Sequence, residues 1–314
     1  MMAYQFGWVD ENGNQSEAAP APLVHGRFCL EVAETLGGDP RTALPYAVAI
    51  ELLHNFLQIH VDVEDGNTER QGRPSVWWAW GPAQAINAGD GMHAMARLAL
   101  FQLSGLGVPP ASVTASLRIL DEATVQLCEG EYLDITFQEK PRVSVDEYLD
   151  MASRRSGALM GCAARLGAFS AGEGGDRAVI PLEQFGTQLG LAGHIISDHT
   201  LIWGRGGRDQ AQQGRLASKK KNLPVVHALS SGEPAMKRRI GELYMKRILD
   251  TTDIEALAGL LDAAGSEQFT LAAVEQTRAR AEDALLSAGL DEAAVGRLRA
   301  ALDELAPAPS PSGE

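Results

Sequence analysis

Apolar residues recur at helical spacing along most of this chain. Alanine and leucine side chains repeat every three or four residues over residues 28–103, 113–139 and 145–171, which is the period of an α-helix. Alternating runs rich in Val, Thr and Tyr, which indicate strands, are nearly absent. Glycine- and proline-rich segments separate the helical patterns. The sequence therefore predicts an all-α bundle.

The helical pattern runs without a linker, so one continuous domain is expected over residues 21–305. Residues 1–20 are expected to form a loosely packed arm. Residues 306–314, rich in Pro and Ser, cannot bury apolar surface and are expected to be a disordered tail. Ser144, which precedes two acidic residues, and Ser112 are predicted helix N-caps.

The charge balance excludes several classes of partner. The chain has 27 Lys and Arg against 41 Asp and Glu, a formal charge of −14, so neither nucleic acid nor an anionic membrane surface is expected to bind it. No stretch reaches the roughly 18 apolar residues of a membrane span, and no leader pattern opens the chain. Cys29, Cys128 and Cys162 lack metal-type spacing. A soluble cytoplasmic protein with reduced structural thiols is expected.

Three acidic residues, Asp62, Glu64 and Asp65, stand at the end of an apolar helical pattern. Asp62 and Asp65 share one helical face and are expected to present oxygens to Mg²⁺, which binds through a few carboxylates together with substrate phosphates. The alternative is a solvated acidic helix end. A cationic turn beginning at Arg70 follows directly, which favours a metal-bridged diphosphate.

Two further segments are candidates for ligand binding. His194 and Asp198 lie one helical turn apart and either share a ligand or form a hydrogen bond within a helix. A basic stretch is either an anion site or a solvated loop, and the acidic balance of the chain favours the anion site. Its cations are Arg205, Arg208, Arg215, Lys219, Lys220 and Lys221.

The order of several motifs resembles that of the trans-isoprenyl diphosphate synthases over roughly residues 4–250. The opening Tyr4-Gln5-Phe6-Gly7-Trp8 resembles actinobacterial members in particular. The other motifs are Leu52-Leu53-His54-Asn55-Phe56, the acidic cluster, Arg70-x-Gly72-Arg73-Pro74-Ser75-Val76-Trp77, Gly130-x-Tyr132-Leu133-Asp134, Arg155-Ser156-Gly157-Ala158-Leu159, Leu189-Gly190-Leu191-Ala192 and Lys220-Lys221-Asn222-Leu223-Pro224-Val225-Val226.

This resemblance implies a helical bundle around a deep apolar cavity, a homodimer, and aspartate-rich motifs that hold Mg²⁺ and ionise an allylic prenyl diphosphate. Carried over residue by residue, the catalytic residues are Asp62, Asp65 and Asp198. The implied metal ligands are these three and Glu64. The implied substrate-binding residues are Arg70, Arg155, Lys220, Lys221, Phe56, His194 and Arg205.

The chain departs from the family pattern at both aspartate-rich motifs. Val61 stands in place of the first aspartate of the first motif, and in the second motif only Asp198 is a carboxylate, with Ser197 before it. His194 replaces a usual glutamine. Glu64, His60, His194 and Ser197 are candidates to replace the lost ligands, and Arg205 and Arg215 are candidates to replace part of the metal charge.

Three cations that bind isopentenyl diphosphate in the family are also absent. Pro22 and His25 occupy the positions of a lysine and an arginine, and Gln71 replaces the second residue of an Arg-Arg pair. Each charge-assisted contact is worth on the order of 1.5–3 kcal/mol, so chain elongation with isopentenyl diphosphate is not expected.

An enzyme that ionises an allylic diphosphate without this acceptor is the predicted function. A terpene synthase that cyclises its substrate is favoured. The alternatives are a prenyltransferase with another acceptor and a non-catalytic subunit that modulates an active synthase. Phe56 matches the family's chain-length gate, which favours a C15 or C20 substrate, although core packing explains a buried Phe equally well.

Overall fold

The computed structural model describes residues 1–16, 20–172, 175, 177–204, 220–246 and 249–308. The helices of these residues are α1 (Met2–Gln5), α2 (Val24–Thr35), α3 (Pro40–Asp65), α4 (Val76–Trp80), α5 (Pro82–Phe101), α6 (Pro110–Glu139), α7 (Val145–Ala152), α8 (Ala158–Ser170), α9 (Val179–Trp203), α10 (Leu223–Ser231), α11 (Pro234–Met245), α12 (Thr251–Ala263), α13 (Ser266–Ser287) and α14 (Glu292–Leu305). A 3₁₀ turn spans Gln102–Leu106 and a π turn spans Ser153–Gly157. The only strands of the described residues are the antiparallel pair β1 (Glu69–Arg70) and β2 (Arg73–Pro74). The all-α prediction is confirmed.

The described residues form two compact units. The first consists of Met1–Thr124, Cys162–Glu183 and Ala288–Leu298. In it α3 packs against α2 and α5. α3 begins behind Asp39, whose carboxylate accepts the Arg41 N–H, and ends at Gly66 with φ 65°, a left-handed conformation that glycine adopts at little cost. This stop places the acidic residues in the last turn of α3.

The second unit consists of Val125–Gly161, Gln184–Ser287 and Arg299–Glu314. One apolar core packs α7, α9 and α10 around the fully buried Tyr148, Met151 and Ile195. A second core joins α10 to α11 and α12 around Ile240 and Leu261. Four of the five boundaries between the two units fall inside α6, α8, α9 and α14, and the fifth lies at the end of α13. The single domain predicted over residues 21–305 stays a prediction.

The chain termini differ from expectation. Tyr4 and Phe6 are only 4% and 5% exposed, and the Tyr4 hydroxyl donates to the Pro74 carbonyl. The loosely packed arm predicted for residues 1–20 is therefore wrong at residues 4–6, because two aromatic rings there are buried. Ala306 is fully buried and its carbonyl accepts from Arg278, so the predicted tail cannot begin there. Residues 309–314 lie outside the described residues.

One predicted helix cap is confirmed and the other is wrong. Ser144 and Glu147 form a reciprocal capping box at the start of α7. Ser112 lies inside α6, which already begins at Pro110, because proline is well suited to the first turn of a helix.

The three cysteines lie in described helices and no disulfide bond joins them. Cys29 and Cys162 are buried, as expected of structural thiols, whereas Cys128 is exposed. Burial raises the pKa of the Cys29 thiol to about 12, which keeps it protonated and unreactive. The described helices include none whose length and hydrophobicity would let it cross a bilayer.

Two adjacent leucines of α13 provide a test of the packing in the second unit. Leu285 is fully buried and Leu286 is 56% exposed. We expect Leu285→Ala to lower the free energy of unfolding by about 2–5 kcal/mol, since it leaves a cavity, and Leu286→Ala to lower it by less than about 0.5 kcal/mol. Urea denaturation followed by circular dichroism measures both. Equal losses for the two variants would contradict this packing.

Candidate functional site

The acidic end of α3 is held by one arginine of the following hairpin. Asp62 is 1% exposed. Arg70 on β1 donates from Nε to Oδ2 and from Nη2 to Oδ1 of this carboxylate, both at 2.6 Å. Asn67 donates to Oδ1 at 3.2 Å. Burial raises the pKa of Asp62 and the Arg70 charge opposes that rise. The predicted proximity of the acids to the cationic turn is confirmed for this pair.

The rest of the cationic turn serves the fold. Gln71 and Gly72 join β1 to β2 with φ of 52° and 72°, the left-handed pair of a tight hairpin turn. Arg73 donates to the Tyr4 carbonyl at 2.8 Å and lies over the Tyr4 ring. The Trp77 indole donates to the Asn67 carbonyl at 2.6 Å. These contacts fix the hairpin that carries Arg70.

The other residues of the first motif are less buried than Asp62 or are apolar. Val61 is 6% exposed, Glu64 is exposed and Asp65 is half-buried. Phe56, five residues before Val61, is buried with its ring 4.8 Å from the His60 ring. The chain-length role of Phe56 stays a prediction.

Two histidines near this site are neutral at physiological pH. The rings of His25 on α2 and His54 on α3 lie 4.2 Å apart. Burial lowers the pKa of His25 to about 4. Burial, with the nearby charge of Arg70, holds the pKa of His54 well below its usual value. His25 therefore cannot replace the positive charge of the arginine that the family pattern has at this position.

In the second unit, two buried carboxylates, one buried cation and one half-buried cation form a cluster, defined here as Glu131, Asp134, Lys220 and Arg155. Arg155 donates to Glu131 at 2.5 Å and lies 3.0 Å from Asp134. Lys220 lies 2.7 Å from the same Asp134 oxygen. Burial favours a raised pKa for Asp134, but the charges of Arg155 and Lys220 outweigh it and hold the pKa below its usual value. The cluster is neutral overall, with two charges of each sign.

Close backbone packing places Arg155 at this cluster. A side chain at Gly130 on α6 would come within 2.7 Å of the Arg155 backbone nitrogen, so only glycine lets the π turn approach α6 this closely. Sequence reasoning does not predict a role for Glu131. The available signal is its spacing of three residues from Asp134, which puts both carboxylates on one face of α6.

Lys221, predicted to bind substrate, contacts backbone instead. Its ammonium donates to the carbonyls of Phe137 and Lys140, where α6 ends. Unpaired carbonyls at a helix C-terminus attract cations, so this contact stabilises the end of α6. Burial, with the nearby charge of Lys140, lowers the pKa of Lys221.

The second motif is built into a hydrogen-bonded chain. Asp198 is fully buried on α9, and its Oδ2 accepts the Tyr148 hydroxyl and the Leu223 N–H. His194 contacts Tyr148 through Nε2 at 3.2 Å and Ser156 through Nδ1 at 2.8 Å. The structure thus links His194 to Asp198 through Tyr148, a residue that sequence reasoning missed. Arg205, Arg208, Arg215 and Lys219 lie outside the described residues.

Three of the four carboxylates predicted as metal ligands, Asp62, Glu64 and Asp198, do not fit a magnesium centre as they stand. In the first unit Asp62 is occupied by Arg70 and Asn67, and Glu64 is exposed. In the second unit Asp198 accepts two hydrogen bonds. Within the described part of the chain, no group of three or more His, Cys, Asp or Glu side chains is placed to hold a metal ion. No step proposed below passes through such an ion.

The first unit contains a cavity of about 490 Å³ with mostly apolar walls. Side chains of α1, α2, α3 and α5 line it, including Met2, Leu30, Leu52 and Met95. None of the predicted site residues is among its walls. The deep cavity around the substrate that the resemblance implies stays a prediction.

Comparisons with known proteins establish the family. The polyprenyl synthetase family profile matches residues 8–261. A geranylgeranyl diphosphate synthase of Mycobacterium tuberculosis is 35% identical over 84% of this chain and 75% of its own length. A (2E,6E)-farnesyl diphosphate synthase of the same organism is 32% identical over 95% of this chain and 83% of its own length.

A solved structure gives the same result for the fold. A polyprenyl synthetase from Streptomyces coelicolor A3(2) superposes with a TM-score of 0.85 at 33% identity, over 96% of this chain and 90% of that one. The chain therefore belongs to the polyprenyl synthetase family. The resemblance drawn from the motifs is confirmed.

The neutral state of His25 is directly measurable. We expect its imidazole to show no titration midpoint above about pH 5 in nuclear magnetic resonance spectra of protein labelled with ¹⁵N-histidine, because burial lowers its pKa to about 4. The spectrum of His25→Gln assigns the signal, and the exposed-state pKa of about 6.5 is the reference. A midpoint near 6.5 or higher would show that His25 carries charge near neutral pH.

Proposed function

We propose that this chain is an enzyme that binds and ionises an allylic prenyl diphosphate without condensing it with isopentenyl diphosphate. Its curated relatives are named as geranylgeranyl and farnesyl diphosphate synthases, which supports a prenyl diphosphate as the substrate class. A C15 or C20 substrate is favoured by Phe56 at the gate position. The finer part of the proposal, the absence of condensation, rests on this chain's own residues.

The proposal depends on one observation: positive charge is lost at the positions that bind the acceptor, isopentenyl diphosphate, in the family pattern. We call these positions the acceptor side. Pro22 and Gln71 are exposed and uncharged, and His25 is neutral because burial lowers its pKa to about 4. Isopentenyl diphosphate carries two or three negative charges. Without three charge-assisted contacts its affinity would fall by several kcal/mol, which removes it as a useful acceptor.

The positions that the resemblance assigns to the allylic diphosphate keep their cations. Arg70 uses Nε and Nη2 to bind Asp62, and a guanidinium has five N–H donors in a fixed plane. The Nη1 donors are not used in that pair and can bind a diphosphate oxygen. Asp62 then acts as a positioning residue for Arg70. In the second unit Arg155 and Lys220 are paired with Glu131 and Asp134, so they provide N–H donors there and no net positive charge. Fixed donors and cations stabilise a leaving diphosphate.

The allylic cation must then react with something else. Attack by one of its own double bonds, followed by proton loss, is terpene cyclisation. Capture by water or by an acceptor other than isopentenyl diphosphate is the other route. The resemblance also implies a homodimer and Mg²⁺, and both stay predictions.

A non-catalytic subunit is the second candidate, favoured by one specific observation. Asp62 is paired with Arg70, and the cluster of Glu131, Asp134, Arg155 and Lys220 is neutral. A chain whose charges satisfy one another is suited to support an active synthase without binding a diphosphate itself. Such a chain would copurify with an active homologue.

Diphosphate release separates these functions. We expect release from farnesyl or geranylgeranyl diphosphate without isopentenyl diphosphate, and no longer prenyl diphosphate when it is added. Geranyl diphosphate provides the chain-length comparison. Loss of release in EDTA would support the Mg²⁺ implied by the resemblance. No release under any condition would favour the non-catalytic subunit, and elongation would identify a condensing synthase.

Restoring two lost cations tests the acceptor side. Pro22→Lys and Gln71→Arg add charge at exposed positions, where no burial cost opposes it. We expect the double variant to incorporate radiolabelled isopentenyl diphosphate at least about tenfold faster than the unchanged protein, since each contact is worth on the order of 1.5–3 kcal/mol.

A control adds one positive charge elsewhere in the first unit and is matched to Gln71→Arg alone. Gln84 is exposed on α5, and Gln84→Arg is expected to leave incorporation unchanged. Equal gains in Gln84→Arg and in Gln71→Arg alone would mean that net charge, and not the acceptor site, limits the reaction.

A further inference from the structure

Four side chains of the second unit form a continuous hydrogen-bonded chain. It runs from Ser156 in the π turn to His194 on α9, then to Tyr148 on α7, and ends at Asp198 on α9. The Ser156 Oγ lies 2.8 Å from Nδ1 of His194, and Nε2 of His194 lies 3.2 Å from the Tyr148 oxygen. A hydroxyl, an imidazole and a carboxylate in this order have the elements of a base and its orienting groups.

The carboxylate sets the direction of every proton in this chain. Tyr148 donates its one proton to Oδ2 of Asp198, so its oxygen accepts from His194. Nε2 of His194 must then carry the hydrogen. Nδ1 is left as an acceptor and faces the Ser156 hydroxyl. The chain is therefore polarised so that a proton at Ser156 can move to His194.

Close backbone packing holds the π turn with Ser156 against α9 with His194. A side chain at Gly190 on α9 would come within 2.5 Å of the Ser156 carbonyl, so glycine lets α9 lie against the π turn. His194 stands one helical turn after Gly190 and therefore reaches Ser156. π turns of this kind are frequent at functional sites.

Among the four hydrogen-bonded side chains, burial decreases from Asp198 toward Ser156. Asp198 and Tyr148 are 0% and 1% exposed and His194 is 9% exposed, whereas Ser156 is half-buried. Ser156 also directly follows Arg155, a predicted diphosphate-binding residue. Ser156 is thus the member of the hydrogen-bonded chain that can meet a substrate, and it is also the member that donates a proton to His194.

We propose that Ser156 and His194 form the base that takes a proton from the allylic carbocation, so that the product is an olefin. This inference rests on the proposed function, because it needs a cation formed by loss of diphosphate. In His194 the chain has a group that can accept a proton, whereas the glutamine of the family pattern cannot.

The step balances without any added reagent. A C–H bond next to the cation breaks and its electron pair becomes the new C=C bond. The proton passes to the Ser156 oxygen while the original Ser156 proton passes to Nδ1 of His194. The resulting imidazolium donates to Tyr148, whose bond to Asp198 stabilises the positive charge. The proton then leaves to water or to the released diphosphate.

Product analysis tests the role of the base. Farnesyl and geranylgeranyl diphosphate are the probes, and olefin and alcohol products are measured by gas chromatography per diphosphate released. We expect His194→Gln and Ser156→Ala to lower the olefin-to-alcohol ratio at least about tenfold, because general base catalysis contributes about 10²–10⁴-fold. His227→Gln, at a half-buried histidine that contacts Ser266 and Phe269 in the same unit, is the control and should keep the ratio.

Nuclear magnetic resonance provides a readout besides activity. We expect ¹⁵N shifts of His194 to show the Nε2–H tautomer, and Tyr148→Phe to change them. An Nδ1–H tautomer, or an unchanged product ratio in His194→Gln, would overturn the inference while leaving diphosphate ionisation intact. Absence of diphosphate release by the unchanged protein would instead overturn the proposed function, and the base with it.

Discussion

The bond between Arg70 and Asp62 is the interaction on which the candidate site depends. A carboxylate that is 1% exposed is costly to bury unless a cation pairs with it, and Arg70 meets both of its oxygens at 2.6 Å. Breaking a buried pair of this kind by removing one partner costs about 3–5 kcal/mol. The pair therefore fixes the end of α3, the hairpin of β1 and β2, and the orientation of the guanidinium together.

Carboxylates of the second unit are also satisfied by protein cations and hydrogen-bond donors. Arg155 and Lys220 balance Glu131 and Asp134, and Asp198 is satisfied by the Tyr148 hydroxyl and the Leu223 N–H. In the first unit two residues aligned with the family's metal- and diphosphate-binding positions, Asp62 and Arg70, contact each other. Val61 and Ser197 stand where the family pattern has carboxylates, and the carboxylates of Asp62 and Asp198 accept hydrogen bonds from protein donors.

The sequence predicted the elements and the family well, because both depend on patterns along the chain. Helical periodicity predicted α3, and its acidic end was correctly expected beside Arg70. The contacts across elements could not be predicted. Tyr148 lies 46 residues before His194, and no local spacing indicates that they meet. The sequence does not distinguish Lys221 from its neighbour Lys220, yet Lys221 binds backbone carbonyls at the end of α6. His25 is neutral because it is buried, and the burial of a single residue cannot be deduced from the sequence alone.

The central claim is that this chain favours an allylic diphosphate over isopentenyl diphosphate. Isothermal titration calorimetry with farnesyl thiodiphosphate, a slowly reacting analogue, and with isopentenyl diphosphate compares the two directly. The loss of acceptor-side charge at Pro22, His25 and Gln71 predicts at least about 100-fold tighter binding of the analogue, since three charge-assisted contacts are missing for the other ligand. Equal or tighter binding of isopentenyl diphosphate would contradict the account.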